Sequence, residues 1–285
     1  MHGPATVPGK LYVVATPIGN LQDITLRALA VLKEVDSIAC EDTRQTRKLL
    51  DHHGITTRMV SYHEHNEQER AVELIAKLKQ GRRVAVVTDA GMPGISDPGY
   101  RVITLAIEQG VPVVPIPGAS AFLSALVASG LPTDAFRFGG FLPSKRGQRR
   151  SVLAALVEAK ETQVFYEAPH RLLETLEDVV EALGATRYVV VAREVTKLHE
   201  EFLRGLAVKV LADLASRDEV RGEITLLIAK ADEAAAPVVK KKGIHERLEE
   251  IKSGESLDEK AALKKVAKEF GLSKSEAYRR LQWEK

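Results

Sequence analysis

This sequence predicts two α/β domains with a ligand cleft between them, followed by a small, basic, all-helical module. Three observations carry that prediction. Short apolar runs of strand length alternate with helical patterns through residues 11–230, the signature of βαβ units and a largely parallel sheet. Three Gly/Pro-rich loops, Thr16-Pro17-Ile18-Gly19-Asn20, residues 88–99 and residues 115–120, each follow such a run directly. Beyond residue 230 the alternation stops, and an Ala/Pro/Lys-rich stretch leads into a charged helical pattern.

The elements follow in order. Strand-like runs at 11–15, 37–40, 58–62, 83–87 and 112–116 are separated by helical patterns at 26–34, 68–80 and 102–109. A helix-like stretch at 120–129 closes this half, and Gly130-Leu131-Pro132 ends it. The second half reads as strand 136–141, helix 148–158, strand 163–166, helix 170–183, strand 188–192, helix 206–216 and strand 223–229. The organisation is therefore an extension at 1–10, α/β domains at 11–132 and 133–230, a linker at 231–242, and a helical module at 243–285.

Composition narrows the function classes. The 285 residues carry 41 Lys/Arg and 39 Asp/Glu, a net charge of +2, so overall charge announces no polyanion partner. The charge is unevenly placed: from residue 238 onward there are 13 Lys/Arg against 9 Asp/Glu, leaving 28 against 30 elsewhere. A single cysteine, Cys40, excludes an internal disulfide. The start lacks the apolar stretch of a signal peptide, and no apolar run approaches the roughly 18–20 residues that span a bilayer. A cytoplasmic protein without a membrane partner is expected.

The loops are informative by position, because ligands of open α/β sheets bind at the carboxyl ends of strands, where glycines admit close backbone approach. No G-x-G-x-x-G follows the first strand and no G-x-x-x-x-G-K-[ST] occurs anywhere, so neither a dinucleotide fold nor a P-loop is supported. The bland alternative is that such loops merely turn the chain.

The wording of the loops goes further. Ala15-Thr16-Pro17-Ile18-Gly19-Asn20-Leu21, Cys40-Glu41-Asp42-Thr43-Arg44, Asp89-Ala90-Gly91-Met92-Pro93-Gly94-Ile95-Ser96-Asp97-Pro98-Gly99 and Ile116-Pro117-Gly118-Ala119-Ser120-Ala121 resemble the tetrapyrrole methylase superfamily. Within it they resemble the branch that methylates the ribose 2′-hydroxyl of a cytidine in small-subunit ribosomal RNA. The resemblance runs from about residue 11 to 230 and takes in Gly140-Phe141-Leu142-Pro143, Phe165-Tyr166-Glu167-Ala168-Pro169-His170-Arg171 and Arg193-Glu194. Relatives acting on porphyrinoid rings usually carry Gly-Asp-Pro in the middle loop, whereas this chain has Gly91-Met92-Pro93.

The resemblance implies S-adenosylmethionine held between the domains, a homodimer, and small-subunit ribosomal RNA as partner, with the target cytidine in the decoding region. Carried over by position, Pro17 and Gly19 of the first loop would hold cofactor. So would Asp89, Ala90, Gly91, Pro93, Ile95, Ser96 and Asp97 of the middle loop, and Pro117, Gly118, Ser120 and Ala121 of the third. Tyr166, Arg193, Gly222, Glu223 and Ile224 would complete the pocket from the second domain.

Methyl transfer needs the acceptor in line with the breaking carbon–sulfur bond, and a ribose hydroxyl is a poor nucleophile until its proton is accepted. Glu167, Asp42 and Lys145 are the candidates for a base or for stabilising alkoxide charge. Lys145, Arg146, Arg149 and Arg150 follow a strand and suit RNA phosphates; Lys145 would act as a base only with a lowered pKa. Asp42 and Arg44 either project into the cleft or form an N-cap and ion pair at the next helix. His170 and Arg171 start a helix and suit an anion or the helix alone. His63-x-His65 lacks further ligands at metal spacing, so no metal is expected and its loop is assigned to the substrate side.

In the tail, Leu263, Val266, Ala267 and Phe270 recur at helical spacing, Gly271 interrupts, and Ser273-x-x-Glu276 reads as a capping box. The pattern suggests a helix-turn-helix decorated by Lys264, Lys265, Lys268, Lys274, Arg279 and Arg280 for RNA contact, or a solvated helical hairpin. Two other functions remain open: C-methylation of a tetrapyrrole precursor, and a noncatalytic ribosome-assembly factor that binds cofactor.

Overall fold

Leu11–Val14 (β1), Ser37–Cys40 (β2), Met59–Ser61 (β3), Val84–Val87 (β4) and Val113–Ile116 (β5) form a wholly parallel sheet in the order β3-β2-β4-β1-β5. Parallel pairing demands crossovers, which are α1 (Leu26–Glu34), α2 (Thr43–His52), α3 (Glu67–Lys79) and α4 (Tyr100–Glu108). Leu11, Val13, Val84 and Val86 pack with α3 and α4, while Val14, Ala85, Val87 and Ile116 face α1 and α2. With both faces covered, the central strands read as unbroken apolar runs. The computed structural model describes residues 9–231, 251, 259–269, 276 and 279. The chain divides into two compact units, residues 1–234 and 235–285.

The second sheet, also in the first unit, is mixed. Phe136–Phe141 (β6), Thr162–Glu167 (β7), Tyr188–Arg193 (β8), Glu201–Leu206 (β9) and Ile224–Ile228 (β10) lie in the order β6-β7-β10-β8-β9, parallel only between β6 and β7. Leu153 of α6 (Arg146–Ala154), Leu172 and Leu176 of α7 (Leu172–Leu183) and Leu214 of α8 (Ala207–Ala215) cover one face. The other face is covered by α5 (Ala121–Ser129), whose Ala125 and Leu126 pack with Val164, Val190 and Leu227. The helix expected to close the first half thus seals the second sheet.

The strand at 201–206 was not anticipated. Glu201 and Arg204 make it polar, Gly205 interrupts it, and it is half-buried at the sheet edge, where the alternation is weak. α2 was expected only at its start, since its sequence is dominated by polar residues.

In the second unit, α9 (Glu259–Glu269) follows the anticipated period, with Ala262, Leu263, Val266 and Ala267 buried and Lys264 and Lys265 exposed. Glu276 and Arg279 are helical and exposed. Phe270, Gly271, Ser273, Lys274, Arg280, residues 1–8 and the linker 232–242 lie outside the described residues, as does the Lys268 side chain. No described helix is long and apolar enough to cross a membrane.

Candidate active site

The strand order of the first sheet sets the loops after β2, β4, β1 and β5 side by side. The first and middle loops are zipped together: the Thr16 amide donates to the Gly91 carbonyl at 2.9 Å, the Gly91 amide donates to the Thr16 carbonyl at 3.1 Å, and the Thr16 hydroxyl donates to the Thr88 carbonyl at 3.0 Å. Gly91 adopts φ +82°, which glycine alone takes freely. A Cβ on Gly118 would lie 2.9 Å from the Ala15 Cβ, so the third loop also depends on close approach.

These loops face the second sheet across a cavity of about 400 Å³. Of the expected cofactor residues, Ala90, Gly91, Ile95, Ser96, Asp97, Ser120 and Ala121 line it from the first half, and Tyr166, Gly222, Glu223 and Ile224 from the second. The other expected residues do not reach it. Pro17, Asp89, Pro93, Pro117 and Gly118 shape the loops, Gly19 lies beneath the Lys197 stem, and Arg193 is turned to Glu201 at 3.0 Å.

The lining also includes Ile18 and Met92, within the loops singled out from the sequence, and Phe122, Phe141, Ala168, Pro169, Val195 and Thr225, which sequence reasoning missed. Phe122 stacks on Phe138 with ring centroids 4.4 Å apart, and Phe138 and Phe141 meet Tyr166 at 5.0 and 5.5 Å. The signal was separate aromatics at the start of α5 and within β6 and β7, indistinguishable in one dimension from core. Phe141 remains 58% exposed.

The rim is fastened by Glu194, at φ 53°. Its carboxylate accepts from the Glu223 amide at 2.8 Å and from Lys197 at 2.9 Å, while the Thr196 hydroxyl bonds Asp23 of the first half. A Cβ on Gly222, at φ +96°, would fall 2.5 Å from the Glu194 side chain.

Several expected roles change. Glu167 lines the cavity but its carboxylate is sealed, accepting from Arg171, from Thr175 at 2.7 Å and from the Ala168 amide at 2.7 Å. It braces the 167–171 turn, with both oxygens engaged by the protein's own donors. Arg171 is spent on that bond and is largely buried, so it does not meet RNA, whereas His170 is exposed. Asp42 caps α2, accepting from the Arg44 amide at 2.8 Å, and the Arg44 guanidinium holds its carboxyl at a pKa of about 2. So strongly stabilised an anion is a poor base, and Arg44, though 87% exposed, is its ion-pair partner.

The basic run divides. Arg149 is 0% exposed and pairs with the equally buried Asp178 at 2.8 Å, so it is a core residue, not an RNA contact. Arg146 shares Asp178 at 2.9 Å and Arg150 bonds Glu181, while both heads remain partly exposed. Lys145 is exposed at the N-cap of α6.

A second groove of about 750 Å³ runs beside α3 and α4, lined by Glu41, Glu64, Glu67, Tyr100 and Arg101 among others. Ser96 and Asp97 line both this groove and the cavity. Burial foremost, with the nearby Glu41 and Asp89 carboxylates, raises Asp97 to about 6 against the opposing Thr88 hydroxyl. The His63–His65 loop contributes Glu64 to this groove; no group of three or more His, Cys, Asp or Glu among the described residues is arranged to hold a metal.

The chain is similar to known proteins over most of its length. A protein from Halalkalibacterium halodurans named "Ribosomal RNA small subunit methyltransferase I" is 47% identical over 95% of this chain and 93% of its own length. One of the same name from Mesorhizobium japonicum is 52% identical over 82% of this chain and 83% of its own. Solved structures share the fold at low identity. Diphthine synthase superposes with a TM-score of 0.62 at 18% identity over 78% of this chain and 90% of its own. Uroporphyrin III C-methyl transferase from Thermus thermophilus gives 0.54 at 18% over 78% and 98%. Residues 10–211 match the family model described as Tetrapyrrole (Corrin/Porphyrin) Methylases, and with that match the chain belongs to the tetrapyrrole methylase family.

Proposed function

We propose that this protein is an S-adenosylmethionine-dependent methyltransferase that methylates the ribose 2′-hydroxyl of a cytidine in the decoding region of small-subunit ribosomal RNA, acting as a cytoplasmic homodimer. The observation that carries the reading is the inter-sheet cavity, built from the loops quoted above, in a chain 47–52% identical to the two relatives named for small-subunit ribosomal RNA methylation.

The cavity suits the cofactor. Its volume of about 400 Å³ falls within the roughly 300–1,000 Å³ of small-molecule pockets. Its wall is mostly apolar and aromatic, with Asp97 and Glu223 as carboxylates near a cationic ligand. The start of α5 lines it at Ser120 and Ala121, and Ser120 makes no side-chain cap bond, so the helix N-terminus is open to a carboxylate. Bound there, the cofactor supplies a methyl group on positively charged sulfur. Lys145, Arg146, Arg150 and Arg44, with Lys264, Lys265 and Arg279 of the second unit, are exposed basic side chains suited to phosphates, and His170 is exposed beside them as a hydrogen-bonding ring. Their task is to orient the strand, which is most of what an activated methyl donor requires.

The test is incubation with tritiated S-adenosylmethionine and small subunits from cells lacking the gene, with nuclease mapping of the label. Label in one 2′-O-methylcytidine is expected. Cofactor binding without RNA labelling favours the assembly factor, and label transferred to a tetrapyrrole precursor in a parallel incubation without subunits favours C-methylation.

A further inference from the structure

The inter-sheet cavity and the polar groove beside α3 and α4 meet at Ser96 and Asp97, which among the described residues line both. A methyl donor in the cavity and an acceptor entering through the groove come together there. The base of the accepting nucleoside hangs on the ribose carbon next to the one that bears the 2′-hydroxyl, so with the cavity filled by the donor the base lies in the groove. Glu64, Glu67 and Glu108 along the groove repel a phosphate backbone, so it admits a base splayed out of its strand rather than the strand itself. Tyr100, 73% exposed on the same groove, offers a ring face to such a base.

Selecting cytidine requires a group that tells cytosine from uracil. At the same edge position cytosine presents an exocyclic amine that donates and uracil a carbonyl that accepts, so a fixed carboxylate there accepts from the first and repels the second. We propose that Glu41 is this specificity-determining residue, its carboxylate accepting from the amine of the target cytosine, an inference that rests on the function proposed above.

The position of Glu41 suits the role. It is half-buried at the end of β2 and lines the groove but not the cavity. It stands close to the junction: after burial, its charge is what most raises the Asp97 carboxyl, and the Thr88 hydroxyl that donates to Glu41 at 3.0 Å also bonds Asp97. The Thr88 bond fixes one Glu41 oxygen and leaves the other without a partner among the described residues. The remaining glutamates of the groove are committed or remote. Glu67 accepts from the Tyr62 hydroxyl at 3.1 Å and the Arg101 amide at 3.3 Å, Glu64 is exposed in the 63–66 loop, and Glu108 ends α4, whose start lies nearer Ser96. In Glu41→Gln the amide oxygen can keep the Thr88 bond while the amide nitrogen takes the place of the free oxygen, which puts a donor where cytosine needs an acceptor and uracil a donor.

The test uses the full-length protein on small subunits reconstituted on transcripts that carry cytidine, uridine or the amine-free pyrimidin-2-one nucleoside at the position the parent protein labels. The parent should favour cytidine over each of the other two by about tenfold or more in kcat/KM. E41Q should slow on cytidine and quicken on uridine, bringing their ratio to about one or below, while binding S-adenosylhomocysteine as the parent does by calorimetry. The comparison with pyrimidin-2-one needs no variant, so it decides even where E41Q is unstable. The inference is overturned if the parent methylates the amine-free nucleoside as fast as cytidine, or if E41Q keeps the parent's ratio of cytidine to uridine at whatever rate. It is overturned equally if E41Q loses S-adenosylhomocysteine in proportion to rate, which moves Glu41 to the donor site. A parent protein that labels no ribosomal RNA overturns the proposed function, and this inference with it.

Discussion

At the residue scale, Arg149 shows how a run of like charges divides in space. Lys145-Arg146-x-x-Arg149-Arg150 reads as one basic patch, yet Arg149, inside α6, is turned inward onto Asp178, while Lys145 stays exposed at the N-cap ahead of the helix. Removing one partner of a buried pair strands the other, at about 3–5 kcal/mol. R149A should therefore fall by that amount in denaturant unfolding, whereas K145A should leave stability unchanged and weaken RNA binding. Asp97 carries the opposite stability sign. Its folded pKa of about 6 lies above the ordinary 3.8, so ionising it costs stability progressively as pH rises through that interval. D97N should melt higher than the parent at pH 8 and converge with it near pH 4, as differential scanning calorimetry would show. G222A adds a Cβ 2.5 Å from Glu194 at a positive φ; displacing that rim should weaken S-adenosylhomocysteine binding about tenfold, or about 1.4 kcal/mol, by calorimetry.

At the scale of elements, α5 joins the halves covalently and by packing. Its start lines the cavity while Leu126, 2% exposed, packs among residues of the second sheet. L126A should cost about 2–5 kcal/mol in urea unfolding. The edge strand β9 is held differently, by a fork of Arg217 onto both Glu201 oxygens at 2.8 Å, with Arg193 at 3.0 Å. Arg217 foremost holds the Glu201 carboxyl at about 2, below its ordinary 4.5. That contribution is present above pH 4.5 and fades as pH falls towards 2, so E201Q should lose about 1 kcal/mol near neutrality and progressively less in acid.

At the scale of the whole molecule, the cavity exists because two sheets of different topology meet along their loops. The Glu194–Thr196–Lys197 rim ties the Gly222–Glu223 lip to Asp23 and Gly19 of the first half. RNA affinity should divide along the same lines. Each exposed cation that contacts a phosphate adds about one to the salt slope, so K145A and K264A should each flatten the dependence of binding on salt while leaving cofactor affinity alone.

Much of this was legible before folding. Alternating apolar runs specified the parallel sheet because strands buried on both faces tolerate only apolar side chains, and Gly91 could be placed at the ligand by the resemblance of its loop, where its φ of +82° is one that glycine takes freely. The helical period of 262–267 was equally plain. The edge strand β9 was not, because half-exposed backbone pairing places few demands on sequence. Nor could linear order show which charges end up neutralised. Glu167, Asp42 and Arg149 are chemically fit for the roles first given them, but their partners Arg171, Arg44 and Asp178 complete them in space. Asp97 stands apart because burial and two neighbouring carboxylates raise its basicity, an environment assembled from the ends of two separate strands, β2 and β4.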